Sequence, residues 1–277
     1  MENEQIRQIV RDRYGKIARE GLGGCGCSSS NSCCGESAGQ ASRNISRRIG
    51  YTEEDFQAVP EGANLGLGCG NPIALASLRE GETVLDLGSG AGFDCFLAAK
   101  QVGITGRVIG VDMTPGMLTL ARANLDTGDY PNVEFRLGEI EHLPVADNSV
   151  DVIISNCVIN LSVDKPGVFR EAFRVLRPGG RLMVSDIVLS GVLPPEILDS
   201  IDAYASCVSG AAQKGEYLNA IENAGFTGVE IIKEDFFSTD YLIESSKQSP
   251  FNIVPRAAVE AAANAVSSVK VIAIKPG

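Results

Sequence analysis

Thr83-Val-Leu-Asp-Leu-Gly-Ser-Gly-Ala-Gly92, running into Phe93-Asp-Cys-Phe-Leu-Ala-Ala-Lys100, is the stretch on which the fold turns. Val84, Leu85 and Leu87 make a short apolar, partly β-branched run of the kind that fills a buried parallel strand. Gly88, Gly90 and Gly92 then give a tight turn whose backbone a ligand can approach without Cβ atoms in the way. The helix expected next points its free N–H groups at that turn. Strand, glycine turn and helix in this order describe the nucleotide corner of a doubly wound sheet. The bland alternative is a βα turn whose glycines only ease packing.

The spacing narrows the ligand. Dinucleotide folds favour Gly-x-Gly-x-x-Gly, whereas here it is Gly-x-Gly-x-Gly, with an acid, Asp86, inside the strand just before it. A carboxylate there repels a pyrophosphate but suits the ammonium of an amino-acid ligand. The next apolar run, Arg107-Val-Ile-Gly-Val-Asp112, ends in a second carboxylate, where nucleotide folds hold the ribose hydroxyls. An acid for the amine and an acid for the ribose fit S-adenosylmethionine better than NAD.

From Glu82 onward strands and helices alternate. Strands are predicted at Thr83–Leu87, Arg107–Asp112, Val133–Leu137, Val150–Asn156 and Arg181–Ile187, with helices at Phe93–Val102, Pro115–Leu125 (capped by Thr114) and Pro166–Leu176. Such alternation implies an α/β fold, a doubly wound, mostly parallel sheet with helices on both faces. Arg177-Pro-Gly-Gly180 reads as a sharp turn. Helices at Pro195–Val208 and Gly215–Ala224 follow. Val229–Lys233 and Val269–Ile274 then suggest an antiparallel pair at one side, with a weaker helix signal over Arg256–Ala265. Ahead of the first strand come an amphipathic helix over Glu2–Glu20, a Gly/Ser-rich segment from Gly21 to Ser42, a capping box at Thr52–Asp55, and a helix opening at Asn71-Pro72 and reaching Leu78. The expected division is 1–72, 73–189 and 190–277: an N-terminal addition, a cofactor-binding core, and a C-terminal region on the substrate side.

Composition sets bounds. The chain has 277 residues, 44% hydrophobic and 21% charged, which is globular, and its net charge of −11 argues against a nucleic-acid partner. No long apolar span suggests a membrane role, and the N-terminus does not read as a leader, so a cytoplasmic location is expected. The single histidine, His142, reads as a surface loop residue.

The chain has eight cysteines, which in a cytosolic protein point to metal binding or catalysis before structural disulfides. Cys157 follows a predicted strand directly, at the sheet edge where ligands of such folds sit. Cys69 lies between glycines, as suits an exposed, tightly curved backbone, and Cys207 falls near the end of the helix after Pro195. Three thiols from distant segments could converge there. They lack the close Cys-x₂₋₄-Cys pairs of structural zinc, and without histidine they suit a soft centre such as trivalent arsenic. Taken singly, each is equally readable as a small buried hydrophobe. Cys95 belongs to core packing. Cys25, Cys27, Cys33 and Cys34 could bind a soft metal or metalloid, form a disulfide, relay thiols, or hold a zinc knot.

Leu67-Gly-Cys-Gly-Asn-Pro72, Leu85-Asp-Leu-Gly-Ser-Gly90, Val111-Asp-Met-Thr114, Gly138-Glu-Ile-Glu141 and Ser155-Asn-Cys-Val-Ile-Asn-Leu161 together resemble the arsenite S-adenosylmethionine methyltransferases, over about Tyr14 to Ile232. The glycine motif alone is shared by class I methyltransferases at large; the two cysteine motifs carry the specific match. The resemblance implies a Rossmann-like sheet of seven strands. It places arsenic ligands at Cys69, Cys157 and Cys207, and cofactor contacts at Asp86, Gly88 and Gly90 for the methionine end and Asp112 and Met113 for ribose and adenine. It also puts Ile140 and Glu141 beside the adenine and Asn156 near the methionine moiety. A disulfide relay nearer the N-terminus would fall on Cys33 and Cys34. The doubled cysteine pairs, and Leu65 and Leu67 where some relatives carry aromatics, depart from the eukaryotic pattern.

The function expected is methyl transfer from S-adenosylmethionine to arsenite or its thiol conjugates, for detoxification, with thioredoxin or glutathione as reductant. The alternatives are a methyltransferase of another small molecule such as a quinone, and a metalloid-binding sensor on the same fold.

Overall fold

Strand β1 (Thr83–Leu87) sends alternate side chains into two apolar layers. Leu85 and Leu87 enter one layer, with Val168, Phe169 and Tyr217. Val84 enters the other, with Phe96, Val102 and Leu118. Asp86 follows Val84 in that alternation, so its carboxylate is set into a buried face. The computed structural model describes residues 3–20, 38–72, 77–198, 207–236, 256–263 and 265–277.

The first helix, α1 (Asn3–Glu20), is followed by α2 (Ala38–Arg48) and α3 (Glu53–Gln57), the last opened by the expected capping box between Thr52 and Asp55. After β1 come α4 (Phe93–Val102), β2 (Arg107–Asp112), α5 (Pro115–Asp126), β3 (Val133–Leu137) and β4 (Val150–Asn156). Then follow α6 (Lys165–Val175), β5 (Leu176–Leu189), α7 (Pro195–Leu198), α8 (Lys214–Asn223), β6 (Thr227–Phe236), α9 (Arg256–Ala263) and β7 (Val266–Ile274). The strands form one sheet in the order β3-β2-β1-β4-β5-β7-β6. The first five are parallel; β7 runs antiparallel between β5 and β6.

Four expectations need correcting. Arg177-Pro-Gly-Gly180 is no turn between elements but part of β5. Val150 pairs with Leu176 and Val152 with Arg181, so the extra residues bulge out, turned by Gly179 at φ 77°. Thr114 stands at the start of α5 without a side-chain cap bond; its own N–H donates to Asp112 Oδ1 (2.8 Å). The helix reaching Cys207 is described only as α7, with 199–206 outside the described residues, and Cys207 itself sits in a turn at φ 64°. The helix expected over Pro72–Leu78 falls mostly on 73–76, outside the described residues, and Ser77 and Leu78 are not helical. Among the described residues, no helix is long and apolar enough to cross a membrane.

Candidate active site

From β1 the chain builds outward through β2 and β3, then returns to β4 on the other side of β1. That reversal opens a crevice at the carboxyl ends of β1 and β4, the place where open α/β sheets hold ligands. A cleft of ≈ 1080 Å³, open solvent included, lies there, and Asp86, Gly88, Gly90, Asp112, Met113, Ile140, Glu141, Asn156 and Cys157 all line it. Gly88 makes its turn at φ 67°, and a Cβ would stand 2.4 Å from Val158. Gly90 faces open space, and its N–H donates to Asp112 Oδ2 (3.0 Å).

The acids Asp86, Asp94 and Glu141 are buried on this wall, and Asp112 is half-buried beside them. Burial, then the charge of Asp94, pushes the Asp86 carboxyl well above its usual range. Burial raises Asp94 to about 6, against hydrogen bonds from Tyr51 and Asn156 that favour its charged form. Asp112 is raised by burial, opposed by the N–H groups of Thr114 and Gly90. Carboxyls held above their normal range favour a positively charged guest. Two polar atoms on the wall, Ser89 Oγ and Asn64 Nδ2, are buried without a partner among the described residues, so a polar ligand fits here. The far side is closed by α1, whose Arg7, Val10 and Tyr14 reach the cleft. Arg7 pairs with Glu139 (3.5 Å) and Glu141 (3.7 Å), and Arg11 with Glu139 (2.5 Å).

Asn156, the last residue of β4, joins this cleft to the cysteine turn. Its Oδ1 accepts the N–H of Cys69 (3.0 Å) and of Gly70 (3.3 Å). Its Nδ2 lies within reach of Gly70 O (2.8 Å), Tyr51 Oη (2.9 Å) and Asp94 Oδ2 (3.2 Å). The turn therefore lies flat on the strand end and leaves no room for side chains. A Cβ on Gly68 would meet Asn156 Nδ2 at 2.5 Å, and one on Gly70 would meet Ser185 Oγ at 1.7 Å. Gly70→Ala is expected to cost about 1–3 kcal/mol of stability or more. Gly215→Ala in exposed α8, with nothing within 4 Å, should instead gain about 0.5–1 kcal/mol. Urea unfolding of both variants checks this; equal effects would mean that the turn does not pack as described.

Of the three expected thiols, Cys69 and Cys207 each lie against Cys157, but Cys207 is outside the cluster whose ligand atoms are mutually close. The sulfurs of Cys69 and Cys157 and a carboxylate oxygen of Asp186 lie within 4.8 Å of one another. Cys207 Sγ donates to the carbonyl of Cys157 (2.8 Å), and Cys69 Sγ to that of Ser185 (3.4 Å). Cys69 is not exposed as its glycine flanks suggested; all three are buried, in an apolar cluster with Val10, Leu161 and Ile187. Only Cys157 reaches the cleft wall among them. Cys157 and Cys207 hold φ at 58° and 64°, a left-handed backbone that costs non-glycine residues energy and clusters at functional sites. Contacts from Cys207 and Cys69, then burial, push the Cys157 thiol well above its ordinary value, and burial raises Cys69.

Cys95 is buried in the core as expected, although its thiol also donates to Asp86 Oδ2 (3.2 Å). His142 is exposed. Cys33 and Cys34 lie outside the described residues.

A methyltransferase-domain family profile matches residues 78–225. An arsenite methyltransferase from Halobacterium salinarum is 50% identical over 86% of this chain and 61% of its own length. A ubiquinone/menaquinone biosynthesis C-methyltransferase from Klebsiella pneumoniae is 32% identical over 64% of each chain. The crystal structure of an arsenic(III) S-adenosylmethionine methyltransferase from Chlamydomonas reinhardtii superposes with a TM-score of 0.61 at 31% identity, covering 84% of this chain and 73% of that one. The chain belongs to the arsenite S-adenosylmethionine methyltransferase family. It spans less than two thirds of the Halobacterium relative's length.

In this arsenite methyltransferase-family chain, sequence reading missed three residues of the site. Asp94 was readable, as an acid two residues past the glycine turn. Asp186 lies inside the apolar run of β5, where nothing local marks it out. Tyr51, whose hydroxyl donates to Asp94 Oδ1 (2.6 Å) and whose ring packs edge-on against Phe93 (4.9 Å), carried no local signal.

Proposed function

We propose that this chain transfers methyl groups from S-adenosylmethionine to trivalent arsenic held by Cys69, Cys157 and Cys207. The observation that carries this reading is that the Cys69 sulfur lies within 4.8 Å of Cys157, and Cys207 packs on the Cys157 backbone, where the strand carrying Asn156 and Cys157 ends at an acid-lined cleft. S-adenosylmethionine supplies a methyl group on a positively charged sulfur. Asp86 and Asp94 attract the cationic end of that ligand; Gly88 and Gly90 leave room for it. Asp112, fixed by the N–H groups of Gly90 and Thr114, takes the ribose, with Met113, Ile140 and Glu141 around the adenine. Asn156 keeps the Cys69 turn against the methionine end.

Neutral thiols suffice to load arsenite. Each As–OH exchanges for As–S, and the thiol proton leaves in the water released. Thiolate ligation then orients the arsenic lone pair, so catalysis is chiefly positioning. The attacking atom carries no proton, so no general base is required, and an exposed His142 as the chain's single histidine is no obstacle. Transfer leaves arsenic formally pentavalent. Two site cysteines return the two electrons and become a disulfide, which Cys33 and Cys34 relay to thioredoxin or glutathione. Such a cycle suits a reducing cytoplasm and a role in detoxification, with free arsenite or its thiol conjugate as substrate.

The quinone-type reading leaves the packing of Cys69 and Cys207 on Cys157, and the left-handed backbone of two of the three, without purpose. Incubating the chain with labelled S-adenosylmethionine, arsenite and a thiol reductant should yield methylated arsenic; its absence would leave the sensor reading in place.

A further inference from the structure

We propose that Cys69, Cys157 and Asp186 also form a site for a thiophilic divalent cation of the zinc–cadmium class, which competes with arsenic for the two thiols and so holds the enzyme off. The inference shares those thiols with the arsenic reading above and adds a ligand that arsenic does not call for. Trivalent arsenic is satisfied by sulfur, whereas zinc and cadmium accept mixed sulfur and carboxylate donors in buried, closed sites. The two sulfurs and the carboxylate oxygen are mutually within 4.8 Å, and all three residues are buried.

Asp186 is aimed as well as buried. Asn160 Nδ2 (2.8 Å) and the N–H of Ile187 (2.9 Å) donate to its Oδ1, and the Tyr217 hydroxyl (3.2 Å) to its Oδ2. Such an outer ring of donors is what fixes ligating carboxylates. Two atoms of neighbouring side chains, Asn160 Oδ1 and Ser185 Oγ, are fully buried without a partner among the described residues. Cys207, its sulfur 2.8 Å from the Cys157 carbonyl, stands beside this cluster. Binding converts two thiols to thiolates and releases their protons to solvent, with no change of oxidation state.

The test is cadmium titration followed by thiolate-to-cadmium ultraviolet absorbance. It uses the full chain carrying Cys25→Ser, Cys27→Ser, Cys33→Ser and Cys34→Ser, so that those thiols do not contribute. One cadmium per chain is expected, displaced by excess arsenite, with zinc competing silently. Asp186→Asn should weaken cadmium at least about tenfold while arsenite affinity, read by isothermal titration calorimetry, stays near wild type. Cadmium binding that ignores arsenite overturns the proposal, as does an Asp186→Asn variant that loses both ligands equally. The arsenite competition needs no Asp186 variant and decides even if that variant fails to fold. Failure of the arsenic reading is separate: it shows as unchanged arsenite affinity in Cys69→Ser and Cys157→Ser, measured without cadmium.

Discussion

Cys157→Ser is expected to lower kcat/KM for arsenic methylation at least about a hundredfold, with cofactor binding unchanged. The substitution keeps size and hydrogen bonding but removes the one thiol of the three that reaches the cleft wall. Cys69 and Cys207 both lie against Cys157, so its loss leaves two sulfurs with no common centre facing the donor methyl. An oxygen in that position does not replace a thiolate for a soft metalloid. The measurement is methyl transfer under a thiol reductant, paired with calorimetric binding of S-adenosylhomocysteine. A variant that keeps a tenth of the wild-type rate would remove Cys157 from the chemistry.

Asp86→Asn should do the reverse, sparing arsenite affinity and losing the cofactor. Truncating one partner of a buried charge pair costs about 2–5 kcal/mol, roughly thirtyfold to a few thousandfold in dissociation constant. The sign of the pH dependence follows from the raised carboxyls. In the empty protein Asp94, raised to about 6, contributes stability that is complete below the unfolded value near 3.8 and lost as pH rises through about 6. A bound cation favours the ionised carboxylates and restores that loss. The ligand-induced rise in Tm should therefore grow from pH 5 to pH 7.5 in the wild type. In Asp86→Asn the empty protein should melt higher, because a buried repulsion between Asp86 and Asp94 is gone, and the ligand-induced shift should shrink. A variant that binds cofactor like the wild type would show that the carboxylate at 86 does not meet the amine.

The parts of the site legible in the sequence are those set by local spacing. Asp86 and Gly88 are placed by one strand and its turn, and a strand's alternation fixes which face the acid enters. The strand bounds of β1 to β4 were readable for the same reason, since buried parallel strands carry continuous apolar runs ended by glycine or polar residues. What spacing could not supply was contact between segments far apart. Tyr51 reaches Asp94 across 43 positions and Asn156 across 105, and no local pattern announces such a bond. Cys69 was misjudged as exposed because glycines on both sides describe a curved backbone equally well whether water or another strand lies against it. The Arg177–Gly180 stretch misled in the same way: its turn chemistry is real, but neighbouring strands absorb it as a bulge.

Asn156 has a last consequence, for anyone moving this chemistry to another scaffold. The glycine-flanked cysteine is not a portable loop, because its amides end on the side chain at 156 and its flat face rests on the hydroxyl at 185. A chimera importing residues 68–70 alone would carry a thiol with nowhere to sit. The loop, the amide and the small hydroxyl have to be transplanted together.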